Sequence, residues 1–74
     1  MSILVKEFHP EGGLLFEANL DLNAELATQL KKLLKSFGRM VFGWKFFSKE
    51  GYIIPTTPVW KIGMKDGDKL IAVH

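Results

Sequence analysis

Between Asn23 and Phe37 the sequence carries one apolar stripe at helical spacing, and on either side the spacing changes to that of strands. Leu26, Leu30, Leu33, Leu34 and Phe37 fall at i, i+4, i+7, i+8 and i+11, which is one face of a helix. Asn23 is placed to cap its first turn through the side-chain oxygen. Glu25 lies toward the positive end of the helix dipole, and Lys31, Lys32 and Lys35 toward the negative end. Gly38 stands where a C′ residue ends a helix. The 74 residues make one domain, residues 1–74. A chain this short buries only about 60% of the surface its unfolded form exposes. A single helix must therefore cover a sheet built from nearly everything else.

The strand signals supply that sheet. Ser2 to Phe8 is apolar and β-branched with a charged pair, and Pro10-Glu11-Gly12-Gly13 reverses the chain. Leu14, Phe16, Ala18 and Leu20 alternate with Leu15, Glu17 and Asn19, a half-buried second strand. After the helix, Arg39 to Phe47 reads as a strand, with Met40, Phe42 and one of Phe46 or Phe47 expected in the core. A turn at Lys49-Glu50-Gly51 leads to the short Tyr52-Ile53-Ile54. Pro55 to Pro58 cannot lie in a central strand. Lys65-Asp66-Gly67-Asp68 is a tight turn, and Lys69 to Val73 a last strand. The fold class is α+β: a mixed sheet in the order β-β-α-β-(β)-β with one helix across one face.

Composition removes several functions. No cysteine is present, which excludes disulfides, zinc–thiolate and iron–sulfur sites and a nucleophilic thiol. Ten Lys and Arg against eight Asp and Glu is a weak basic excess, too small to imply nucleic acid by itself. No apolar run is long enough to span a bilayer, and no signal peptide is visible. A cytoplasmic or nuclear protein without membrane association is expected. His9 and His74, the two imidazoles, read as a solvated turn and a frayed end. Asp66 and Asp68 read as turn caps; they are too few for calcium. Gly12-Gly13 lacks the lysine and spacing of a phosphate loop. No cofactor or metal and no enzyme activity are expected.

The element order resembles the ubiquitin-like β-grasp, and the last third sharpens the likeness. Thr57-Pro58, Ile62-Gly63-Met64-Lys65-Asp66-Gly67-Asp68, Leu70 and Ala72 are similar to the closing segment of SUMO-like domains. Arg39-Met40-Val41-Phe42 resembles their third strand. Trp60 and Lys61 lengthen the spacing by about one residue, and Gly43-Trp44-Lys45 stands where an Asp-Gly turn is usual. Gly51, Ile54-Pro55, Ile62-Gly63-Met64 and Gly67-Asp68 also resemble the AbrB-type swapped-hairpin DNA-binding domain. Against that rival, Pro58 falls in the middle of its short helix, where proline costs about 3 kcal/mol, and no strand follows to close its dimer.

The β-grasp resemblance implies a module that binds a partner protein, with two candidate surfaces. The first is the outer sheet face, where alternation places Leu4, Leu15, Val41, Ile71 and Val73 beside Lys6, Lys45 and Lys69. A contiguous apolar patch of this kind marks binding sites, and the lysines suit an acidic motif. The second is the groove between the second strand and the helix, with Leu15, Glu17, Asn19, Lys31 and Lys35. Conjugation requires a Gly-Gly tail, and Ala72-Val73-His74 does not provide one, so a transferable modifier is not expected. An auxiliary subunit of a larger complex fits the same resemblance. Nucleic-acid binding is the alternative: Arg39, Trp44, Lys45, Lys49 and Tyr52 interleave cations with rings, as single-strand binders do.

Overall fold

The computed structural model describes residues 1–10 and 12–74; the first reversal, predicted at Pro10 to Gly13, therefore lies partly outside the described residues. Five strands and two helices follow in the order β1 (Ser2–Phe8), β2 (Leu15–Asn19), α1 (Leu26–Ser36), β3 (Lys45–Ser48), β4 (Gly51–Tyr52), α2 (Val59–Ile62) and β5 (Lys69–Val73). The sheet order is β2-β1-β5-β3-β4. β1 and β5 pair in parallel, with Val5 opposite Leu70 and Glu7 opposite Ala72. The neighbouring pairs β1–β2 and β3–β5 are antiparallel.

Alternation along β1 and β5 decides which side chains meet the helix. Ile3, Val5, Leu70 and Ala72 are buried against Leu26, Ala27, Leu30 and Leu34 of α1, and Phe46 from β3 completes the layer. Leu33 packs at the margin. Phe37, the last member of the predicted stripe, leaves the core and rests on Phe16, ring centroids 5.0 Å apart.

Asn23 does not cap α1. Its N–H donates to Asp21 Oδ1 at 2.9 Å, a local turn, and Glu25 holds the N-cap position without a side-chain cap bond. The cap is tertiary: the Leu26 N–H donates to the Thr57 carbonyl at 3.0 Å. Backbone from the Pro55–Pro58 segment thus satisfies a donor that a side chain was expected to satisfy. At the other end, the Gly38 N–H donates to Lys35 and the Arg39 N–H to Leu34, as a C′ glycine permits.

The segment after Gly38 departs most from expectation. Residues 39–44 are not a strand; β3 begins at Lys45, opposite Val73. Arg39 turns inward to Glu7, and Gly43, at φ +84°, bends the chain where a side chain would be strained. Met40 and Phe42 consequently leave the core and Trp44 enters it, its indole N–H donating to the Met40 carbonyl at 2.6 Å. A buried indole must place that donor, and the bend supplies the acceptor. Val41 is half-buried in the bend, off the sheet.

Pro58 is the N-cap of α2, so it does not interrupt a helix. Val59 and Trp60 donate their N–H groups to Ala24 and Leu22. What separates this chain from the swapped-hairpin alternative is the last strand, which pairs with β1 and β3 of its own chain. The Asp66-Gly67-Asp68 turn behaves as read: Asp68 accepts from the Lys65 N–H and Asp66 from the Ser2 N–H.

Gly13 lies against β1 so closely that a Cβ there would fall on the Glu7 carbonyl oxygen. Backbone cannot yield as a flexible side chain can. Gly13→Ala is expected to cost about 1–3 kcal/mol, the range for overpacking. A urea melt of the variant, with an unchanged denaturant slope, checks it.

Candidate protein-interaction face

The strand registers assemble the outward side chains into rows. One row crosses the whole sheet: Leu15 on β2, Lys6 on β1, Ile71 on β5, Phe47 on β3 and Tyr52 on β4. A second row joins Phe8, Val73 and Lys45, and a third Glu17, Leu4 and Lys69. Leu15, Tyr52 and Phe8 are each more than half exposed, at 59%, 54% and 52%. Ile71, Val73 and Phe47 are half-buried between their neighbours, and the Phe47 and Tyr52 rings meet edge to face at 5.7 Å.

Of the predicted patch, Leu4, Lys6, Leu15, Lys45, Ile71 and Val73 share this face, but Lys6 lies within the central row, between Leu15 and Ile71, and only Lys45 and Lys69 lie in the flanking rows. Val41 does not belong to it, because the strand that was to carry it begins four residues later. Phe8, Phe47 and Tyr52 were missed as apolar members. Phe8 was within reach, since it continues the alternation of Leu4 and Lys6. Phe47 depended on the phase of β3, which two adjacent phenylalanines leave open.

The residues of the nucleic-acid alternative are dispersed. Arg39 forms a two-point ion pair with Glu7, Nε to Oε2 at 2.7 Å and Nη2 to Oε1 at 3.0 Å. Trp44 is 6% exposed and offers no ring for stacking. Lys45, Lys49 and Tyr52 remain at the surface, Tyr52 within the apolar row. The second predicted surface, beside edge strand β2, has the Phe16–Phe37 ring pair in its cleft, with Lys35 exposed and Lys31 half-buried.

Glu7 was not singled out by its sequence position, yet it is fully buried. Oε1 also accepts from the Leu14 N–H at 3.0 Å. The Arg39 hydrogen bonds hold its carboxyl below the usual glutamate range, against burial, which would raise it. This is a structural ion pair, and it anchors the bend at 39–44 to β1.

His9 and His74, expected as a solvated turn and a frayed end, lie side by side. They are neither isolated nor merely solvated: their ring centroids lie 5.7 Å apart, and both rings approach Trp44, His74 at 4.9 Å and His9 at 6.5 Å. Among the described residues no three His, Cys, Asp or Glu side chains gather into a metal-holding group. A concavity of about 250 Å³ lined by Ser48, Glu50, Tyr52, Ile54, Thr57 and Ile62 is smaller than the roughly 300–1,000 Å³ of small-molecule sites. No helix among the described residues is long and apolar enough to cross a membrane.

A solved structure of Caldiarchaeum subterraneum ubiquitin superposes with a TM-score of 0.82, covering 99% of this chain and 90% of that one at 20% identity. The fold is the ubiquitin-like β-grasp. A second β-grasp neighbour lies within the structure of ATBAG1 in complex with HSP70, at TM-score 0.71 and 22% identity. That match covers 97% of this chain and 40% of the other. No protein-family model matches the sequence, and no curated protein does. The β-grasp similarity is therefore one of backbone, and the outer face of this domain has to be read from its own residues.

Proposed function

We propose that this ubiquitin-like domain is a non-catalytic protein-interaction module that binds its partner through the outer sheet face. The observation that carries the reading is the cross-sheet row Leu15–Lys6–Ile71–Phe47–Tyr52, flanked by Phe8 and Val73. Apolar side chains held in register on rigid strands form a pre-organised contact surface, which loses little entropy on binding. Lys6 within the row, and Lys45 and Lys69 beside it, favour a partner segment that carries acidic residues beside its apolar anchors. The ATBAG1 structure, a complex with HSP70, is a β-grasp neighbour with a protein partner and supports the class of function.

Replacing Ile71 and Val73 together by Asp is the test. Each carboxylate would be buried unpaired in an apolar contact, at a cost of several kcal/mol to binding. Quantitative affinity capture should show partners retained by wild type and by Phe42→Ser but absent from the double variant, whose circular dichroism stays that of wild type. Short RNA and DNA titrations at low and moderate salt form the second arm. Saturable, salt-sensitive binding centred on residues 39–52 would replace this reading with the nucleic-acid one.

A further inference from the structure

The geometry points to a second docking site, at the free edge of β4. An extended segment of a partner protein pairs there as a sixth strand, with an apolar side chain in the adjoining trough and a basic one against Glu50. The sheet order ends at β4, and among the described residues no strand pairs with its outer side. The ladder shows what that side presents. Ile53 donates its N–H to the Phe46 carbonyl at 2.8 Å, and Tyr52 stands opposite Phe47. Antiparallel pairs alternate between bonded and non-bonded, so the Tyr52 N–H and C=O point away from β3, toward solvent. An extended main chain pairs such a donor and acceptor together. Natural edges are commonly blunted by lysine, proline or a covering loop. From Gly51 to Ile54 this one carries no charge, Tyr52 and Ile54 are 54% and 64% exposed, and Pro55 comes only after it.

Beside the edge lies the concavity of about 250 Å³, lined by Tyr52, Ile53 and Ile54 from the edge and by Thr57 and Ile62 from the segment that runs into α2. A cavity of about 150 Å³ holds a benzene ring, so this one admits a large apolar side chain. Glu50 is exposed and is the one charged residue of the lining. Among the described residues its carboxylate makes no ion pair. Lys49, the nearest cation in sequence, lines the neighbouring hollow with Met64 and Lys69. A lysine or arginine of the partner is therefore the complement of this rim, and an acidic segment is repelled by it. The site does not depend on the outer-face reading, since it uses neither Leu15 nor Ile71 nor Val73.

To test it, a display library of short random peptides is selected on the full chain, and the tightest binder is synthesised and titrated into ¹⁵N-labelled protein. Enriched sequences should place a Lys or Arg near an apolar residue. Amide shifts should centre on residues 50–54, 57 and 62. N-methylation of the peptide, one amide at a time, should weaken binding about tenfold where the amide faces the edge and little at the positions between. That readout leaves the protein unaltered. Glu50→Gln, a surface change, should weaken binding by up to about fivefold. The proposal is overturned by absence of enrichment, by uniform tolerance of N-methylation, or by equal affinity of Glu50→Gln. Shifts centred on the outer face or on β2, or a dimer of the free protein that occupies residues 50–54, would overturn it as well.

Discussion

Arg39→Ala is expected to bring this domain to the edge of unfolding. The Glu7 carboxylate beneath it is fully buried and takes two hydrogen bonds from the guanidinium. Removing the cation strands a charge in the interior, at a cost of about 3–5 kcal/mol. Domains have only about 5–15 kcal/mol in all, and small ones lie toward the lower end. Urea denaturation followed by circular dichroism measures the loss. Replacing both partners, Glu7→Leu with Arg39→Met, should recover most of it, because no charge is then left unpaired. The same pair sets an acid response. Glu7 is held below the ordinary glutamate value, so its contribution is complete above about pH 4.3. Stability then falls as pH drops through the lower folded value, since the unfolded chain takes the proton first. Glu7→Gln should lack this part of the pH dependence; an identical acid profile in the variant would refute the assignment.

Phe46→Ala should cost about 3–5 kcal/mol, the range for emptying a buried aromatic site. Phe42→Ala should stay within about 0.5 kcal/mol, because that ring is 77% exposed. Thermal melts of the two variants decide between the structure and the plainer reading of residues 39–47 as one continuous strand. That segment illustrates where sequence reasoning stops. Its aromatics satisfy a strand pattern as well as a bend, and periodicity alone does not separate them. The bend is set by Arg39 reaching Glu7, a partner 32 residues away, and by Trp44 finding a backbone acceptor. The first leaves no local signal, and the second, though it joins residues four apart, does not show in the hydrophobic period.

Where a signal is periodic, it was legible. Ile3 and Val5 of β1, Leu26, Leu30 and Leu34 of α1 and Leu70 and Ala72 of β5 are buried as their spacing implies, whereas Phe37 leaves the core and Ala27 and Glu7 enter it. The parallel pairing of β1 and β5 followed from the resemblance. Caps were less so: Asn23 has the right chemistry, but the Thr57 carbonyl arrives from the far side of the fold. The same division holds for the binding face. Leu4, Lys6, Leu15, Lys45, Ile71 and Val73 lie on strands with clear alternation. Val41 was misplaced with the bend, and Phe47 and Tyr52 join the face only once the β3–β4 register is known. The two histidines were read apart because nothing local tells a residue at one strand end which residue ends the strand beside it.

The position of β5 bears on how the protein is made. It is the middle strand, and β1–β2 and β3–β4 touch the rest of the sheet only through it. A ribosome delivers β5 after every other strand, so a nascent chain lacking Lys69–Val73 exposes two unjoined ribbons and an uncovered helix stripe. Isolated two-stranded ribbons are marginal in water. Folding must therefore wait until this segment has cleared the exit tunnel, and until then the apolar rows are available to chaperones.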